Sequence, residues 1–502
     1  MAADTPKSLR NQILYSVFIR NYSKEGTFDG VRKDLDHIKS LGTDIIWLMP
    51  IHPVGKVNRK GSLGSPYSIS DYRDVNPEFG TKEDFRRLVD AIHEKGMKVI
   101  IDVVYNHTSR DSVLAKEHPD WFYHKENGDF GNKVGDWWDV IDLDYKKPGL
   151  WDYQIDTLKM WAGDYGVDGF RCDVAPMVPV EFWEKARKEV AKVHPGAIWL
   201  AESVEPQFVQ FNRQRGVTCA SDSELYRAFD MCYEYDSYWL LDGFLSGENS
   251  LKDYVDRLNM QEFIYPDNYV KLRFLENHDR LRAAFLLRNP KMLRNWTAFN
   301  YFQKGCTLIY NGQEAGVDHA PTLFDLDPID WEQNLRTAEE GNLNTEDQDA
   351  GKGNSEQGGL ETETEDTQDI VEGESAEQGK LNKKAAAMSA EDLHKLQDIM
   401  RNLASFKKNP ILTDSSYHVD LQSNDVLVAV HQENAQTING EPGHRLIGFF
   451  SAKGQPALVH VSDRLSDLNI PNGIYKNLVD GKSVEVDYGE ISLDGEPVIL
   501  EV

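Results

Sequence analysis

The chain has 502 residues, 40% hydrophobic and 11% aromatic, with 55 Lys and Arg against 83 Asp and Glu for a formal net charge of −28. Such a composition suits two or three globular domains and excludes a fibrous or wholly disordered chain. A polyanion of this size repels nucleic acid and anionic membrane, whereas a neutral, hydroxyl-rich substrate meets no such repulsion, and no apolar run is long enough to span a bilayer.

The four cysteines, Cys172, Cys219, Cys232 and Cys306, form no C-x-x-C pair and have no metal-like spacing with histidine. That usage fits a reducing compartment. The opening Met-Ala-Ala-Asp-Thr-Pro-Lys has no basic segment followed by an apolar one. A cytoplasmic location is therefore expected.

In chain order, Ile13 to Ile19 reads as a strand, and Val31, Leu35, Ile38 and Leu41 fall at helical spacing before Gly42. Asp44 to Met49 is the next strand. Phe85, Leu88, Val89 and Ile92 mark a helix ended by Gly96, and Lys98 to Tyr105 is a continuous apolar run typical of a strand buried on both faces. Residues 106–145 hold no long helix and are rich in Trp, Asp, Gly and His, as a functional excursion would be. Further strands are expected at Val167–Asp173, Ala197–Glu202, somewhere in 228–235, Val270–Leu275 and Cys306–Tyr310. Helices are expected near 148–165, 180–193, 250–260 and 291–304. Repeated β-then-α units imply a parallel sheet with right-handed crossovers, and eight of them close into a (β/α)8 barrel. Residues 335–390 are acidic and nearly free of large apolar side chains, which reads as a flexible insert. Asp392 to Phe406 returns to helical spacing. Beyond about 410 the pattern alternates with period two, separated by turns such as Pro471-Asn472-Gly473, as in a small antiparallel β-domain.

Three strand-like runs each deliver acids: Gly169-Phe170-Arg171-Cys172-Asp173, Trp199-Leu200-Ala201-Glu202 and Phe274-Leu275-Glu276-Asn277-His278-Asp279. Acids are poor strand residues, so their recurrence suggests one site at the C-terminal rim of a barrel. Paired carboxylates facing one bond are the apparatus of glycoside hydrolysis. Arg171 precedes Asp173 by two residues, so both side chains point the same way on a strand, and the guanidinium keeps the carboxylate ionised, as suits a nucleophile. Glu202 follows apolar residues, which raise a carboxyl pKa toward that of a general acid. His278 beside Asp279 is a natural donor to sugar hydroxyls.

Asp102-Val103-Val104-Tyr105-Asn106-His107-Thr108 resembles the first signature of the α-amylase family of glycoside hydrolases. Gly169–Asp173 resembles the second, Glu202 matches the third, and Asn277-His278-Asp279 matches the fourth. Ile46-Trp47-Leu48-Met49-Pro50, Asp142-Leu143-Asp144-Tyr145 and Gly305–Glu314 resemble flanking signatures. The resemblance implies a barrel at 1–104 and 146–407, an inserted domain at 105–145, and a C-terminal β-sandwich at 408–502. It also implies Asp173 as nucleophile, Glu202 as acid/base and Asp279 as transition-state stabiliser. Arg171, His107, His278 and a stacking Tyr67 would contact substrate, and Asp102 would support the arginine. Asn106 resembles the family's calcium ligand, a hard oxygen donor suited to that cation, so calcium is the cofactor implied. Trp137 and Trp138 fit either a sugar platform or the core of the inserted domain. The chain departs from many members by reading Val174-Ala175-Pro176-Met177 after the nucleophile, where a Lys-His pair is common. The expected activity is retaining cleavage of α-1,4-linked glucans. The alternatives are an oligosaccharide α-glucosidase (including α-1,6 cleavage), a transglycosylase, or a non-catalytic sugar-binding or transporter subunit.

Overall fold

A computed structural model describes residues 2, 4–135, 137–331, 388–422, 424–433, 443–462 and 468–502. The acidic insert expected at 335–390 lies outside the described residues except for its last three positions. The first strands are β1 (Ile13–Val17), β2 (Ile45–Leu48) and β3 (Lys98–Val103), followed by a short pair, β4 (His107–Ser109) and β5 (Val140–Asp142). Then come β6 (Gly169–Cys172), β7 (Ile198–Ala201), β8 (Met231–Tyr233), β9 (Val270–Arg273) and β10 (Cys306–Tyr310). Eight of these close a parallel barrel in the order β1-β10-β9-β8-β7-β6-β3-β2, while β4 and β5 pair antiparallel outside it. The barrel strands are rich in Ile, Leu and Val because helices cover the outside and side chains fill the inside, leaving neither face wet.

Local chemistry sets the element ends. The helix Lys82–Glu94 starts at a Thr81/Asp84 capping box, buries Phe85, Leu88, Val89 and Ile92, and stops before Gly96, whose φ of 68° is left-handed. The apolar spacing from Val31 to Leu41 belongs to two helices, Phe28–Lys33 and Leu35–Ser40. They break at Asp34, whose carboxylate accepts a 2.6 Å hydrogen bond from the Tyr22 hydroxyl. The strands bearing Asp173 and Glu202 end one residue short of each acid. Each acid still donates its N–H to the neighbouring strand, Asp173 to Val103 O at 2.9 Å and Glu202 to Cys172 O at 3.0 Å.

The C-terminal strands are β11 (Ser415–Leu421), β12 (Val426–Glu433), β13 (Arg445–Ser451), β14 (Ala457–His460), β15 (Gly473–Lys476), β16 (Ser483–Asp487), β17 (Glu490–Leu493) and β18 (Val498–Glu501). They form two four-stranded sheets, β11-β12-β13-β18 and β14-β17-β16-β15. Alternation along β12 and β13 splits their side chains between two cores. Leu427, Ala429, Leu446 and Phe450 join the core of the barrel, while Val428, Val430, Ile447 and Phe449 fill the space between the two sheets. The helix Pro290–Phe302 carries the junction. Trp296 Nε1 donates to Ala452 O at 3.0 Å, Asn295 Nδ2 to Gly495 O at 2.7 Å, and Arg294 pairs with Glu496 at 2.6 Å.

Lys407, at the end of the helix Ala390–Phe406, is fully buried, and its ammonium donates to two backbone carbonyls, Tyr301 O at 2.9 Å and Gln303 O at 3.3 Å. Burial pushes this amine down from 10.5 to about 7. A base depressed on folding destabilises the fold most below its folded pKa, and that penalty is relieved as pH rises toward the unfolded value. The Tm of the wild type minus that of Lys407→Met should therefore increase between pH 7 and pH 10, measured by circular dichroism melts. A difference that stays flat across that range would refute the buried charge.

Candidate active site

The site is built on three adjacent strands. Register pairs Asp102 on β3 with Arg171 on β6 and Arg171 with Leu200 on β7. Arg171 is completely buried, with Nη1 2.9 Å from Asp102 Oδ1 and 2.8 Å from Asp173 Oδ1. Its Nη2 lies 3.1 Å from Glu202 Oε1, and its Nε donates to the Tyr233 hydroxyl at 3.2 Å. The rings of Trp47 and Tyr233 flank the guanidinium at 5.1 and 5.4 Å. Because two ends of one guanidinium fork reach Asp173 and Glu202, their nearer oxygens are within roughly 8 Å of one another.

Val174 follows Asp173 with φ 39° and ψ 43°, a left-handed conformation rare for a β-branched residue. Its N–H donates to Glu202 Oε2 at 2.7 Å. The local strain thus has a visible result, which is to hold the second carboxyl beside the first.

Asp279 enters from the segment after β9. His278 Nε2 lies 3.1 Å from Asp279 Oδ2 and 2.7 Å from the Tyr67 hydroxyl, which is itself 3.2 Å from Asp102 Oδ2. The Tyr67 ring stacks on His278 at 5.4 Å and 15°. His107 Nε2 is 4.0 Å from Asp173 Oδ2. Tyr67, His107, Asp173, Glu202, His278 and Asp279 all line one cavity of about 320 Å³, with Arg171 beneath it. That volume is at the lower end of ligand pockets, which span about 300–1,000 Å³.

Three carboxyl groups touch this arginine and Asp279 lies in the same cavity, and the proton affinities of the cavity acids separate. Burial is the main influence on Glu202 and, with the charges of Asp173 and Asp279, raises it to about 8 against the pull of Arg171. Burial also raises Asp173, to about 6, with closer compensation from Arg171. For Asp279 burial is outweighed by His278, through both charge and hydrogen bond, and the carboxyl falls to about 2. At neutral pH Asp173 and Asp279 are therefore ionised while Glu202 keeps its proton, the division of labour that a nucleophile and an acid require.

Asn106 is buried beside the cavity, with Nδ2 3.2 Å from His107 Nδ1 and its carbonyl accepting from the Leu143 N–H at 3.0 Å. Asp142, paired across from His107, has a buried Oδ1 with no hydrogen-bond partner. Calcium takes six to eight oxygens. Among the described residues no group of three or more His, Cys, Asp and Glu side chains is placed to share a cation. These residues do not by themselves make a dedicated calcium cage, and no step below passes through a metal.

Trp137 lines the cavity, its ring 5.4 Å from that of His107, while Trp138 is 44% exposed. Lys60, Asp139, Leu323 and Phe324 also line the cavity, and no motif in the sequence marks them. Lys60 lies in a Gly- and Ser-rich stretch and Phe324 in an irregular one, so no periodicity marked either. Glu276, in the same run as Asp279, turns away and pairs with Arg282 at 2.6 Å.

This closed (β/α)8 barrel has its carboxylate cluster at the C-terminal ends of its strands, where barrel enzymes place their catalytic groups. The family model for the alpha amylase catalytic domain matches residues 12–392, and that for the bacterial alpha amylase C-terminal domain matches residues 418–500. The chain belongs to the alpha-amylase family of glycoside hydrolases. A crystal structure of an alpha-amylase from Lactobacillus plantarum is 40% identical, with a TM-score of 0.81 over 99% of this chain and 100% of that one. A maltogenic alpha-amylase from Thermotoga neapolitana is 30% identical, with a TM-score of 0.74 over 98% and 99%. Alpha-amylase 2 of Dictyoglomus thermophilum is 27% identical over 340 residues, which is 62% of this chain and 56% of that protein. The match thus spans little more than half the length of that curated relative.

The charge order predicts a bell-shaped dependence of kcat/KM on pH. The rate should rise with pH as Asp173 ionises near 6 and fall as Glu202 loses its proton near 8. Initial rates on maltoheptaose between pH 4 and 10 would test this, and a profile still rising above pH 9 would contradict the assignment of Glu202 as the acid.

Proposed function

We propose that this protein is a retaining glycoside hydrolase that cleaves α-1,4-glucosidic bonds in starch-type glucans and malto-oligosaccharides. Asp173 Oδ attacks the anomeric carbon while Glu202 donates its proton to the departing glycosidic oxygen, which leaves a glycosyl ester on Asp173. Water then enters on the face that the leaving sugar vacated. Glu202 takes a proton from it as the new C–O bond forms and the ester bond to Asp173 breaks. This restores both groups and gives net retention at the anomeric carbon. Asp279, ionised throughout, faces the positive charge that develops on the ring. Arg171 holds the nucleophile, and His107, His278 and Tyr67 line the cavity that would hold the sugar whose glycosidic bond is cleaved.

The observation that carries this reading is the contact of one buried guanidinium with both Asp173 and Glu202, in a cavity that Asp279 also lines. Family membership supports the substrate class, and so do the names of the similar solved proteins, both alpha-amylases. We also infer a cytoplasmic location, because the four cysteines are all buried and free, as suits a reducing compartment. Among the described residues no helix is long and apolar enough to cross a membrane.

Glu202→Gln should lower kcat on maltoheptaose by roughly 10²–10⁴-fold. Asp173→Asn should lose at least as much with an unchanged circular dichroism spectrum. A slow-turnover fluorosugar donor should label Asp173 and no other carboxylate in peptide mass spectrometry. Normal hydrolysis by Asp173→Asn would rule out the nucleophile, and a first-formed β-anomer in NMR would rule out retention.

A further inference from the structure

Two loop segments that line the cavity come from strands on either side of β1. In the barrel order β7 stands four strands from β1 in either direction, so Glu202, just past β7, lies across the rim from β1. The two strands flanking β1 are β2 and β10. Lys60 comes from the segment after β2 and Phe324 from the segment after β10, so both are rooted on the side of the barrel opposite the strand that leads to Glu202.

These two segments are fastened to each other. The Leu63 N–H donates to Phe324 O at 2.9 Å, and Ser62 donates from its N–H and its hydroxyl to Asp325 Oδ1 at 2.7 and 2.6 Å. Behind them, Arg20 Nη1 donates to Gly64 O at 3.0 Å and to Leu323 O at 2.8 Å. The approach is close enough to need glycine. Gly61 has φ 59°, and a Cβ there would sit 2.6 Å from Phe324 Cβ. Lys60 adds the third segment. Its ammonium is 3.4 Å from Asp139 Oδ1, 4.4 Å from the centre of the Trp138 ring and 5.9 Å from that of Phe324. The segment after β2, the excursion between β3 and β6, and the segment after β10 therefore meet at one side chain.

The leaving sugar departs on the side of the group that protonates it, so the glycosyl part kept on the enzyme extends the opposite way, toward these joined segments. Resting on the glucan-hydrolase reading above, we propose that they form a wall that ends the glycosyl side of the cleft and that Lys60 is a specificity-determining residue holding it shut. The enzyme then removes short saccharides of nearly uniform length from non-reducing ends instead of cutting within long chains. A cavity of about 320 Å³ agrees with a short bound segment.

The test uses maltoheptaose tagged at its reducing end with 2-aminobenzamide, sampled at early conversion by chromatography. In the wild type one short untagged product should dominate, matched by one long tagged remainder. Asp325→Ala unfastens the two segments at a half-buried residue outside the cavity lining, and Lys60→Ala removes the central contact. Both should broaden the product lengths and raise the ratio of amylose to maltotriose hydrolysis by roughly tenfold, the scale of discrimination from one pocket contact. A general loss of stability would lower both rates together and leave that ratio unchanged. Mixed product lengths from the wild type at the outset would overturn the wall while leaving the hydrolase reading intact. Unchanged product lengths from a folded Asp325→Ala protein would do the same. A wild type inactive on every α-glucan would overturn the hydrolase reading, and the wall with it.

Discussion

A fully buried guanidinium organises this molecule. Taking an arginine out of water is prohibitive unless opposite charge surrounds it. Arg171 meets that need with Asp102 on the neighbouring strand β3, Asp173 just past the end of its own strand and Glu202 just past the end of the other neighbour, β7. One cation cannot balance so many carboxylates in a dry site. The surplus is relieved by leaving a proton on the group with the weakest compensation, Glu202. Asp279 escapes the same fate because His278 supplies a second positive partner. The difference between the proposed acid and the proposed nucleophile thus comes from local charge balance and not from residue type, since every player is a carboxyl group.

The barrel makes this arrangement affordable in conformational terms. β6 lies between β3 and β7, so a side chain at its end is within reach of both neighbours. The rim is also where regular pairing stops, which lets Val174 take a left-handed turn and aim its N–H at Glu202. A β-branched residue in that region costs about 1–3 kcal/mol, tolerable only where the surrounding fold determines the path of the chain. Val174 is fixed between a strand end and the short 3₁₀ turn Ala175–Met177, both buried.

Much of this was legible in the sequence. The alternation of short apolar runs with amphipathic helices located every barrel strand, including the three-residue β8 within the range 228–235. The i, i+2 relation of Arg171 to Asp173 announced their contact, because strand geometry alone puts both on one side. Other features depend on distances in space that no local pattern encodes. Lys60 and Phe324 are separated by most of the barrel, and each sits in irregular chain. Tyr67 was expected to offer its face to a sugar, but one side of the ring already stacks on His278, a partner more than two hundred residues away in sequence. The helices Pro206–Gln214 and Tyr235–Ser246 carry a weak signal in the sequence. The first buries only Asn212 fully, and the second is apolar almost all round, so neither shows the clean two-faced spacing that reveals a helix.

The double allegiance of β12 and β13 bears on what the last hundred residues are for. Each strand gives alternate side chains to the barrel and to the sheet pair, so the two bodies share a party wall. Cutting the chain near residue 408 would strip the apolar cover from Phe299 and Phe302, which pack against Phe450, and would leave the indole of Trp296 without its acceptor. The change in sequence pattern at that point is a seam in the text, not a line of cleavage in the solid. A catalytic barrel trimmed to its eight strands and helices would be an incomplete object, and engineering that treats the C-terminal sheets as a detachable module would have to resurface the barrel first.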